Sequence, residues 1–392
     1  MAADNSAVAP ALEQRGPFLR HVHLFRGIAI LLIVAVHLNF DYLHDVVGVQ
    51  SPMFHHAVTI NLILLHDTTI FFTLISGILY VHVYAGRGVI RFAKSRTANV
   101  ILPYVVLSVV LTILRWSKGT LEALWMARPG AAGFAGWPGS VQRIGDDLAA
   151  PARLSALLER IGHNIATGEA WYHLWYLPVV VALYIASPLV YATVRSPRLR
   201  WLLAILIALP LIMPRIDETV SWSSIGYFLG VYALGMFVGC DLERWIDFIE
   251  RRSTWFAAAA VAGTGALVAL YATKMFRLGP IHLDEAAFYV QKTALAALLL
   301  VALRRWAQRP GRVPELVLGK LAAWALGIYF IHPLLMVPLF MVLERLISPS
   351  FPPWILGLDD LAAFAALIAL CVAAIMLAHR VLGRRSRYLI GA

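Results

Sequence analysis

Long apolar runs separated by short polar segments recur along the whole chain of 392 residues. Ten of these runs are at or near the length of about 20 residues that an α-helix needs to cross a bilayer. Because the bilayer core offers an open backbone no hydrogen-bond partners, these segments should be helical. The pattern predicts an all-α polytopic membrane protein with about ten transmembrane helices. The predicted spans are residues 24–43, 58–82, 98–116, 172–193, 200–213, 223–240, 254–273, 286–303, 321–343 and 361–381.

The fifth predicted span and the longest polar insert are the irregular parts of this pattern. Span 200–213 is short, and Pro210 and Pro214 limit it because proline does not continue a helix. The insert 117–170 has a Gly/Pro-rich middle and is expected to form an irregular loop. The chain is therefore divided into an N-terminal tail, a transmembrane domain and a C-terminal tail, at residues 1–19, 20–385 and 386–392.

Short loops on one side of the ten spans carry most of the basic residues. Such loops face the cytoplasm in membrane proteins. Both termini are therefore expected in the cytoplasm, and the insert 117–170 on the opposite side. The basic residues concerned are Arg15, Arg20, Arg87, Arg91, Lys94, Arg96, Arg195, Arg198, Arg200, Arg244, Arg251, Arg252, Arg304, Arg305, Arg309, Arg312, Arg384, Arg385 and Arg387.

Composition agrees with the membrane assignment and excludes other classes. Hydrophobic residues make up 60% and charged residues 14% of the chain, against roughly 45–50% and 25% in soluble domains. The net charge of +11 is explained by the cytoplasmic loops, so no nucleic-acid partner is expected. Cys240 and Cys371 form neither a disulfide framework nor a metal-ligand spacing, and no metal is expected.

Arg26 and His37 are costly residues in the first span, because the bilayer disfavours ionisable groups. They are 11 residues apart, which on an α-helix is ~1100° of rotation and about 16 Å of rise. Both therefore lie on one stripe, Arg26 near the cytoplasmic interface and His37 at or beyond mid-membrane. A neutral imidazole at His37 can take a proton from a hydroxyl. The structural alternatives are an interfacial anchor for Arg26 and a helix-packing contact for His37.

His66 and Asp67 lie together in the middle of the second span. An isolated carboxylate there would be expensive, so Asp67 should be protonated or paired with a histidine or an arginine. A structural role and a functional role are both open for this pair. In the sixth span, Gly235 and Gly239 form a GxxxG pair, which indicates close helix packing.

Basic residues after the second span form a candidate phosphate site. If this loop is helical, Arg87, Arg91 and Lys94 share one face at positions i, i+4 and i+7. Arginine pairs well with phosphate oxygens, so such a face could bind a nucleotide-containing donor. The alternative is that these residues only set the membrane topology.

The fourth and ninth spans each carry a histidine in a distinctive setting. His173 lies with Trp175 and Tyr176 near the outer interface, where aromatic residues form a belt or a platform for a sugar. His332 precedes Pro333, whose missing N–H could open a cavity in mid-span. His332 could equally be a structural donor.

Six segments, in order, resemble the acyltransferase-3 family of integral membrane acyltransferases. The resemblance covers residues 20–385, nearly the whole chain. The family's Arg and His of the first helix match Arg26 and His37, and its Arg-x-x-Arg pair begins at Arg96. Its second arginine is replaced here by Asn99. The segments are FRGIAILLIVAVH, FFTLISGILY, SRTANVILPY, HLWYLPVVVALYIASPLVY, GVYALGMFVG and LGIYFIHPLL.

The resemblance implies a fold of about ten transmembrane helices and an O-acyltransferase activity. The acyl group, usually acetyl, would pass from a cytoplasmic acyl-CoA to a hydroxyl of a cell-envelope carbohydrate such as an exopolysaccharide, a glucan or a lipid-linked sugar. It also implies a bacterial-type inner membrane location, no permanently bound cofactor, and polysaccharide-synthesis proteins as partners. Succinyl remains open as the acyl group.

The working hypothesis assigns His37 and Arg26 as the catalytic residues and places the acyl-CoA phosphates on Arg91, Lys94 and Arg96, with Arg26 as a further phosphate contact. His37 acts as general base or carries the acyl group transiently. Substrate contacts are assigned to His66, Asp67, His173, Trp175, Tyr176 and His332. One rival is a transporter or flippase for a lipid-linked sugar or small solute, because polar residues and proline-broken helices also suit alternating access. Another is an inactive scaffold for polymer synthesis.

Overall fold

The described chain is a helical bundle whose only strands are a two-residue hairpin, Arg277–Leu278 (β1) with Ile281–His282 (β2). The computed structural model describes residues 19–42, 52–116, 151–215, 220–308, 313–347 and 352–391. Sixteen α-helices follow along these residues. They are α1 Arg20–Tyr42, α2 Pro52–Leu65, α3 Thr69–Leu79, α4 Val89–Arg96, α5 Leu102–Trp116, α6 Pro151–Thr167, α7 Tyr176–Arg195, α8 Arg200–Ala208, α9 Trp222–Cys240, α10 Leu242–Arg251, α11 Ser253–Thr273, α12 Leu283–Ala307, α13 Val313–Ala323, α14 Ala325–Leu346, α15 Pro353–Leu382 and α16 Ser386–Leu389.

Nine helical segments of the described chain are long and apolar enough to cross a membrane. The prediction of an all-α polytopic membrane protein is therefore confirmed. Each segment corresponds to one predicted span, and only the fifth predicted span has no counterpart. The segments are Arg20–Asn39, Phe54–Tyr84, Val89–Arg115, Tyr172–Arg195, Trp222–Cys240, Ser253–Thr273, Leu283–Ala307, Ala325–Leu343 and Trp354–Leu382.

The fifth predicted span is shorter than a membrane crossing. Its helix, α8, has nine residues and passes into a 3₁₀ turn, Leu209–Leu211, that contains Pro210. The segment nevertheless runs antiparallel to α9, since Met213 lies against Gly226 and the Leu206 carbonyl against Gly230.

The short segment is needed because α7 and α9 are parallel. The Tyr176 ring packs on Phe228, and the hydroxyl groups of Ser187 and Tyr232 lie 2.8 Å apart. Equivalent ends of the two helices are therefore at the same side, and the chain must return between them. The α8 segment makes this return with one short helix and a turn.

The start of α1 and the end of α15 lie at the same end of the bundle. At the opposite end, the Tyr42 hydroxyl donates to Asp359 Oδ2 at 2.7 Å, so α1 and α15 are antiparallel. Arg20 donates to the Ala307 carbonyl at 3.3 Å, and Arg387 donates to Asn99. We call the end marked by Arg20 and Arg387 the basic end. Its assignment to the cytoplasm remains a prediction from the distribution of basic residues.

Acidic residues of α10 neutralise part of the basic end. Arg304 donates to Asp247 at 2.5 Å and to Glu250, and Arg305 donates to Glu250 at 2.7 Å. The hydrogen bonds from Arg305 and Arg304 lower the pKa of Glu250, so this side chain is a carboxylate at neutral pH. The net positive charge of this end therefore comes from other arginines.

The insert 117–170 is not wholly irregular. Its last part forms α6, which packs on α5. Asn164 donates to Thr112 Oγ1 at 2.9 Å, and the Tyr104 hydroxyl donates to the Ile165 carbonyl at 2.7 Å. The loop prediction is wrong for these residues because α6 buries an apolar face. Residues 117–150, with the Gly/Pro-rich middle, lie outside the described chain.

Helices α3 and α9 approach until their backbones touch. A Cβ atom on Gly235 would lie 2.2 Å from the Leu74 carbonyl oxygen, and one on Gly77 would lie 2.4 Å from the Tyr232 carbonyl oxygen. These distances are far inside van der Waals contact, so only glycine fits. The packing role that the GxxxG pair predicts is confirmed.

We predict that Gly235→Ala forces α3 and α9 apart and lowers the free energy of unfolding by about 1–3 kcal/mol, as overpacking does elsewhere. The check is the thermal midpoint of the purified protein in detergent. Gly265→Ala in α11 is the matched control, because no atom lies within 4 Å of the added methyl group. Equal midpoints for the two variants would contradict the close contact.

Candidate active site

Three histidines from distant parts of the chain meet inside the bundle. The ring centroid of His332 in α14 lies 5.5 Å from that of His37 in α1 and 5.4 Å from that of His173. His173 belongs to a 3₁₀ turn, Tyr172–Trp175, that precedes α7. The Tyr172 ring closes the group, 5.3 Å from His37. We call His37, His173 and His332 the histidine cluster.

Several cluster nitrogens have no hydrogen-bond partner in the described structure. His332 Nδ1 lies 3.0 Å from the Ile328 carbonyl oxygen, but its buried Nε2 is unpartnered, as are both nitrogens of His173. Because a carbonyl oxygen only accepts, Nδ1 of neutral His332 carries the proton and Nε2 is the base. Tyr329 holds the neighbouring backbone by donating to the His173 carbonyl. The cluster therefore presents basic nitrogens that the fold itself does not consume.

A cavity lies beside the histidine cluster and runs toward the basic end. Its volume is about 110 Å³. Tyr176 and Tyr329 line it, and Tyr329 also contacts the rings of His173 and His332, at 5.2 and 6.2 Å between centroids. Most of the residues that line the cavity are apolar. Its charged lining residues are Arg26 and Arg96.

Arg96 is the last residue of α4 and lines the cavity, and irregular helical turns precede and follow this helix. Residues Tyr80–Tyr84 and Thr97–Ile101 are π-helical, a geometry that is frequent at functional sites. Arg96 donates to the Tyr84 hydroxyl, and its guanidinium carbon lies 4.3 Å from the Tyr84 ring centroid. A second ring, Tyr184, lies 5.5 Å away.

The predicted stripe on α1 is present. Arg26 and Ile33 line the cavity, and His37 lies one turn beyond Ile33 in the histidine cluster. The spacing of seven and then four residues is that of one helix face. The arginine and the histidine of α1 thus lie on the same side of the helix, Arg26 in the cavity wall and His37 in the histidine cluster.

The other predicted phosphate-binding residues lie elsewhere. Arg91 and Lys94 are exposed on α4 and do not line the cavity. The side chain of Arg87 is not among those that the structure describes. The amide oxygen of Asn99, the position at which the resemblance expects an arginine, accepts a hydrogen bond from Arg387.

Trp175 and Tyr176 do not form an exposed belt. They are 5% and 7% exposed, and both pack on Phe228 of α9. The Tyr176 hydroxyl lies 2.7 Å from Thr73 Oγ1 in α3. The interfacial-belt interpretation is therefore wrong for these two rings, which form part of the interior next to the cavity.

Asp67 sits at a break between α2 and α3 and is 3% exposed. Its backbone is left-handed, with φ of 61°, which a non-glycine residue adopts only when its surroundings hold it there. The carboxylate accepts from the Tyr227 hydroxyl and lies 3.9 Å from Arg215 Nη1. Arg215 Nη2 also contacts His66 Nε2. The predicted pairing of Asp67 with an arginine is therefore present.

Lys292 of α12 completes this arrangement and is fully buried. Its ammonium donates to the carbonyls of Leu64 at 2.8 Å and Ile63 at 3.4 Å, the last residues of α2. The lysine thus satisfies backbone acceptors that the helix break leaves open. We call His66, Asp67, Arg215, Tyr227 and Lys292 the Asp67 network. It adjoins the site because the Arg215 guanidinium lies 5.5 Å from the Trp175 ring centroid.

The sequence predictions missed Arg215, Lys292 and Tyr329. Lys292 lies within a predicted span. The energetic cost of an ionisable side chain inside the bilayer, which selected Arg26, could have selected it as well. Arg215 was signalled weakly, as an arginine on the side of the spans that carries few basic residues. Tyr329 gave no signal, because an aromatic residue in an apolar helix is ordinary. Within the described chain no group of three or more His, Cys, Asp or Glu side chains has an arrangement that could hold a metal ion.

The fold and this site identify the class of protein: it is an integral membrane protein with a polar site inside its helical bundle. The family model described as an acyltransferase domain matches residues 20–380. The chain therefore belongs to the acyltransferase-3 family and is a membrane acyltransferase. Comparisons with curated proteins and with solved structures find no match.

We predict that Arg215→Met destabilises the protein by about 3–5 kcal/mol, because it leaves the Asp67 carboxylate buried without its cation. The double variant Arg215→Met with Asp67→Asn should recover part of this loss. Unfolding midpoints of the single and double variants in detergent measure the effect.

Arg244→Met is the matched control, since Arg244 pairs with Asp241 at 3.7 Å on the surface, with side chains 82% and 53% exposed. This variant should lie within about 1 kcal/mol of wild type. Strictly additive losses in the double variant would show that Asp67 and Arg215 are not a pair.

Proposed function

We propose that the protein transfers an acetyl group from acetyl-CoA to a hydroxyl of a cell-envelope carbohydrate, in a bacterial-type inner membrane. One observation carries the proposal. A single cavity has two arginines toward the basic end, and Tyr329 of its wall packs against His173 and His332, which carry unpartnered ring nitrogens. A long donor with phosphates at one end and a thioester at the other matches this order of groups.

Arg26 and Arg96 are the proposed contacts of the donor phosphates. Both guanidiniums line the same cavity, and neither forms an ion pair with a described residue. An anion in the cavity would give these cations a partner, and guanidinium forks match phosphate oxygens. Arg91 and Lys94 remain proposed contacts only for parts of the donor outside the cavity.

The apolar walls of the cavity suit the arm of coenzyme A that carries the thioester. This arm would extend from Arg96 past Ile33 to Tyr176 and Tyr329, which brings the acetyl carbonyl next to the histidine cluster. His37 takes the proton of the acceptor hydroxyl, the oxygen attacks the carbonyl carbon, and the carbon–sulfur bond breaks. The proton passes to the thiolate, so that coenzyme A leaves as a thiol.

His332 and His173 support His37 in this proposal. The basic Nε2 of His332 can accept a hydrogen bond from the His37 ring or receive its proton, because Nδ1 is committed to Ile328. His173 lies on the far side of His332 and extends the proton-accepting surface. A temporary acyl carrier role for His37 would use the same geometry.

The acceptor would approach from the end opposite the basic end. Tyr172 is half-buried and contacts His37, so its ring offers a surface for a sugar next to the proposed base. His66 and Asp67 already have protein partners, and we assign them to the support of Trp175 rather than to acceptor binding. Polysaccharide-synthesis proteins are proposed as partners that deliver the acceptor.

We predict that purified protein releases free thiol from acetyl-CoA only when an envelope carbohydrate is added, and that His37→Ala lowers this rate about 10²–10⁴-fold, the usual contribution of a general base. Thiol release is measured with a colorimetric thiol reagent. His55→Ala is the control, since His55 is exposed on α2 and outside the site.

Movement of labelled sugar across a proteoliposome membrane without thiol release would instead establish the transporter. A folded His37→Ala variant with wild-type turnover would remove His37 from the mechanism.

We predict that Arg96→Ala raises the KM for acetyl-CoA at least tenfold, while Arg91→Ala and Lys94→Ala change it less than threefold. A lost hydrogen bond between charged groups costs about 1.5–3 kcal/mol, and each 1.4 kcal/mol is a factor of ten. Because Arg96 also bonds Tyr84, whereas Arg91 and Lys94 are exposed, the thermal midpoints of the three variants control for a change in fold. A larger effect from Arg91 than from Arg96 would place the donor outside the cavity.

A further inference from the structure

The C-terminal segment lies across the cavity at the basic end. Arg387 in α16 donates through Nε to Asn99 Oδ1, next to Val100 of the cavity wall. Four residues later, an added Cβ on Gly391 would lie 3.0 Å from Leu326, which lines another part of the wall. The segment therefore joins two sides of the cavity.

The Arg387 side chain is oriented by one hydrogen bond, and the rest of its guanidinium is available to bind a ligand. Asn99 is itself fixed, because its amide nitrogen donates to Ser95 Oγ at 3.2 Å and thereby leaves its oxygen for Arg387. The Arg387 side chain is exposed, and its two terminal nitrogens form no hydrogen bond with a described residue. No acidic side chain of the described chain forms an ion pair with it. An oriented guanidinium with a free fork is a typical anion site.

We infer that Arg387 binds the phosphates at the adenosine end of the donor. The inference rests on the proposed function and extends it to a residue that the cavity itself does not include. Coenzyme A carries a diphosphate and a separate phosphate on its ribose, and these groups lie far from the thioester. With the thioester at the histidine cluster, Arg26 and Arg96 contact the phosphate nearer the arm, and the rest of the nucleotide emerges at Arg387.

A structural role for the segment predicts something different. If Arg387 only fastened α16 to Asn99, its loss would loosen the cavity wall and weaken every donor equally. If it binds phosphate, its loss weakens only donors that carry the nucleotide. Acetyl-pantetheine has the same thioester arm without the adenosine phosphates, and it separates these two cases.

The test compares acetyl-CoA with acetyl-pantetheine as donors for wild type and Arg387→Ala. We expect the variant to raise the KM for acetyl-CoA about tenfold, with kcat unchanged and with no change in the KM for acetyl-pantetheine. Arg385→Ala is the matched control, since Arg385 is exposed two residues away without a hydrogen bond to a described residue. Asn99→Ala should give a smaller rise, because it frees the Arg387 side chain without removing its charge.

Equal KM values for Arg387→Ala and wild type, or the same rise with both donors, would overturn the inference. Binding of coenzyme A without turnover, measured by calorimetry, gives a second readout that does not need an acceptor. There Arg387→Ala should weaken binding of coenzyme A about tenfold, and an unchanged affinity overturns the inference alone. A wild-type protein that neither binds coenzyme A nor releases thiol overturns the proposed function as well.

Discussion

The backbone contact between α3 and α9 is the constraint on which the interior depends. Because Gly77 and Gly235 leave no side chain between the two helices, the register of α9 on α3 is fixed within a fraction of a turn. That register brings Tyr227 onto Asp67 and Tyr232 into the cavity wall. Through Phe228 it also positions the turn that carries His173 ahead of α7. The close contact at Gly77 and Gly235 thus positions both the residues that pair with Asp67 at the break between α2 and α3 and the wall of the proposed donor site.

The bilayer divides the buried polar groups into two kinds. In the Asp67 network the polar groups pair with one another. Lys292 donates hydrogen bonds to backbone carbonyls left open at the helix break, and Arg215 forms an ion pair with the Asp67 carboxylate. In the cavity and the histidine cluster fewer of the polar groups are paired, since Arg26 and Arg96 line the cavity without an ion pair to a described residue, and ring nitrogens of His332 and His173 have no hydrogen-bond partner there. A fully paired network stabilises a fold, whereas unpaired groups in an apolar interior are costly and are retained where a ligand completes them. This difference, more than residue type, separates structure from proposed chemistry.

The sequence predicted features that depend on helical periodicity or on the energetic cost of a charge in the membrane. It could not predict contacts between residues that are far apart in the chain. Helical spacing predicted the shared stripe of Arg26 and His37, and the cost of a buried carboxylate predicted a cation beside Asp67. Neither argument could show that His332, almost 300 residues later, lies against His37, because apolar helices can pack in many orders. Shared position on α4 grouped Arg91 with Arg96, but five residues along a helix are about 500° of rotation, so the two side chains point to different sides and only Arg96 lines the cavity. The proline-limited span 200–213 is a short helix followed by a turn rather than one long helix, and it still returns the chain from the end of α7 to the start of α9, as their parallel packing requires.

The most direct measurement of the central claim is an experimental structure of the protein with bound acetyl-CoA. The account predicts density for the donor along the cavity, with phosphates at Arg96 and Arg387 and the thioester between Tyr176 and Tyr329, within reach of His37. Donor density outside the cavity, with the histidine cluster left empty, would contradict it.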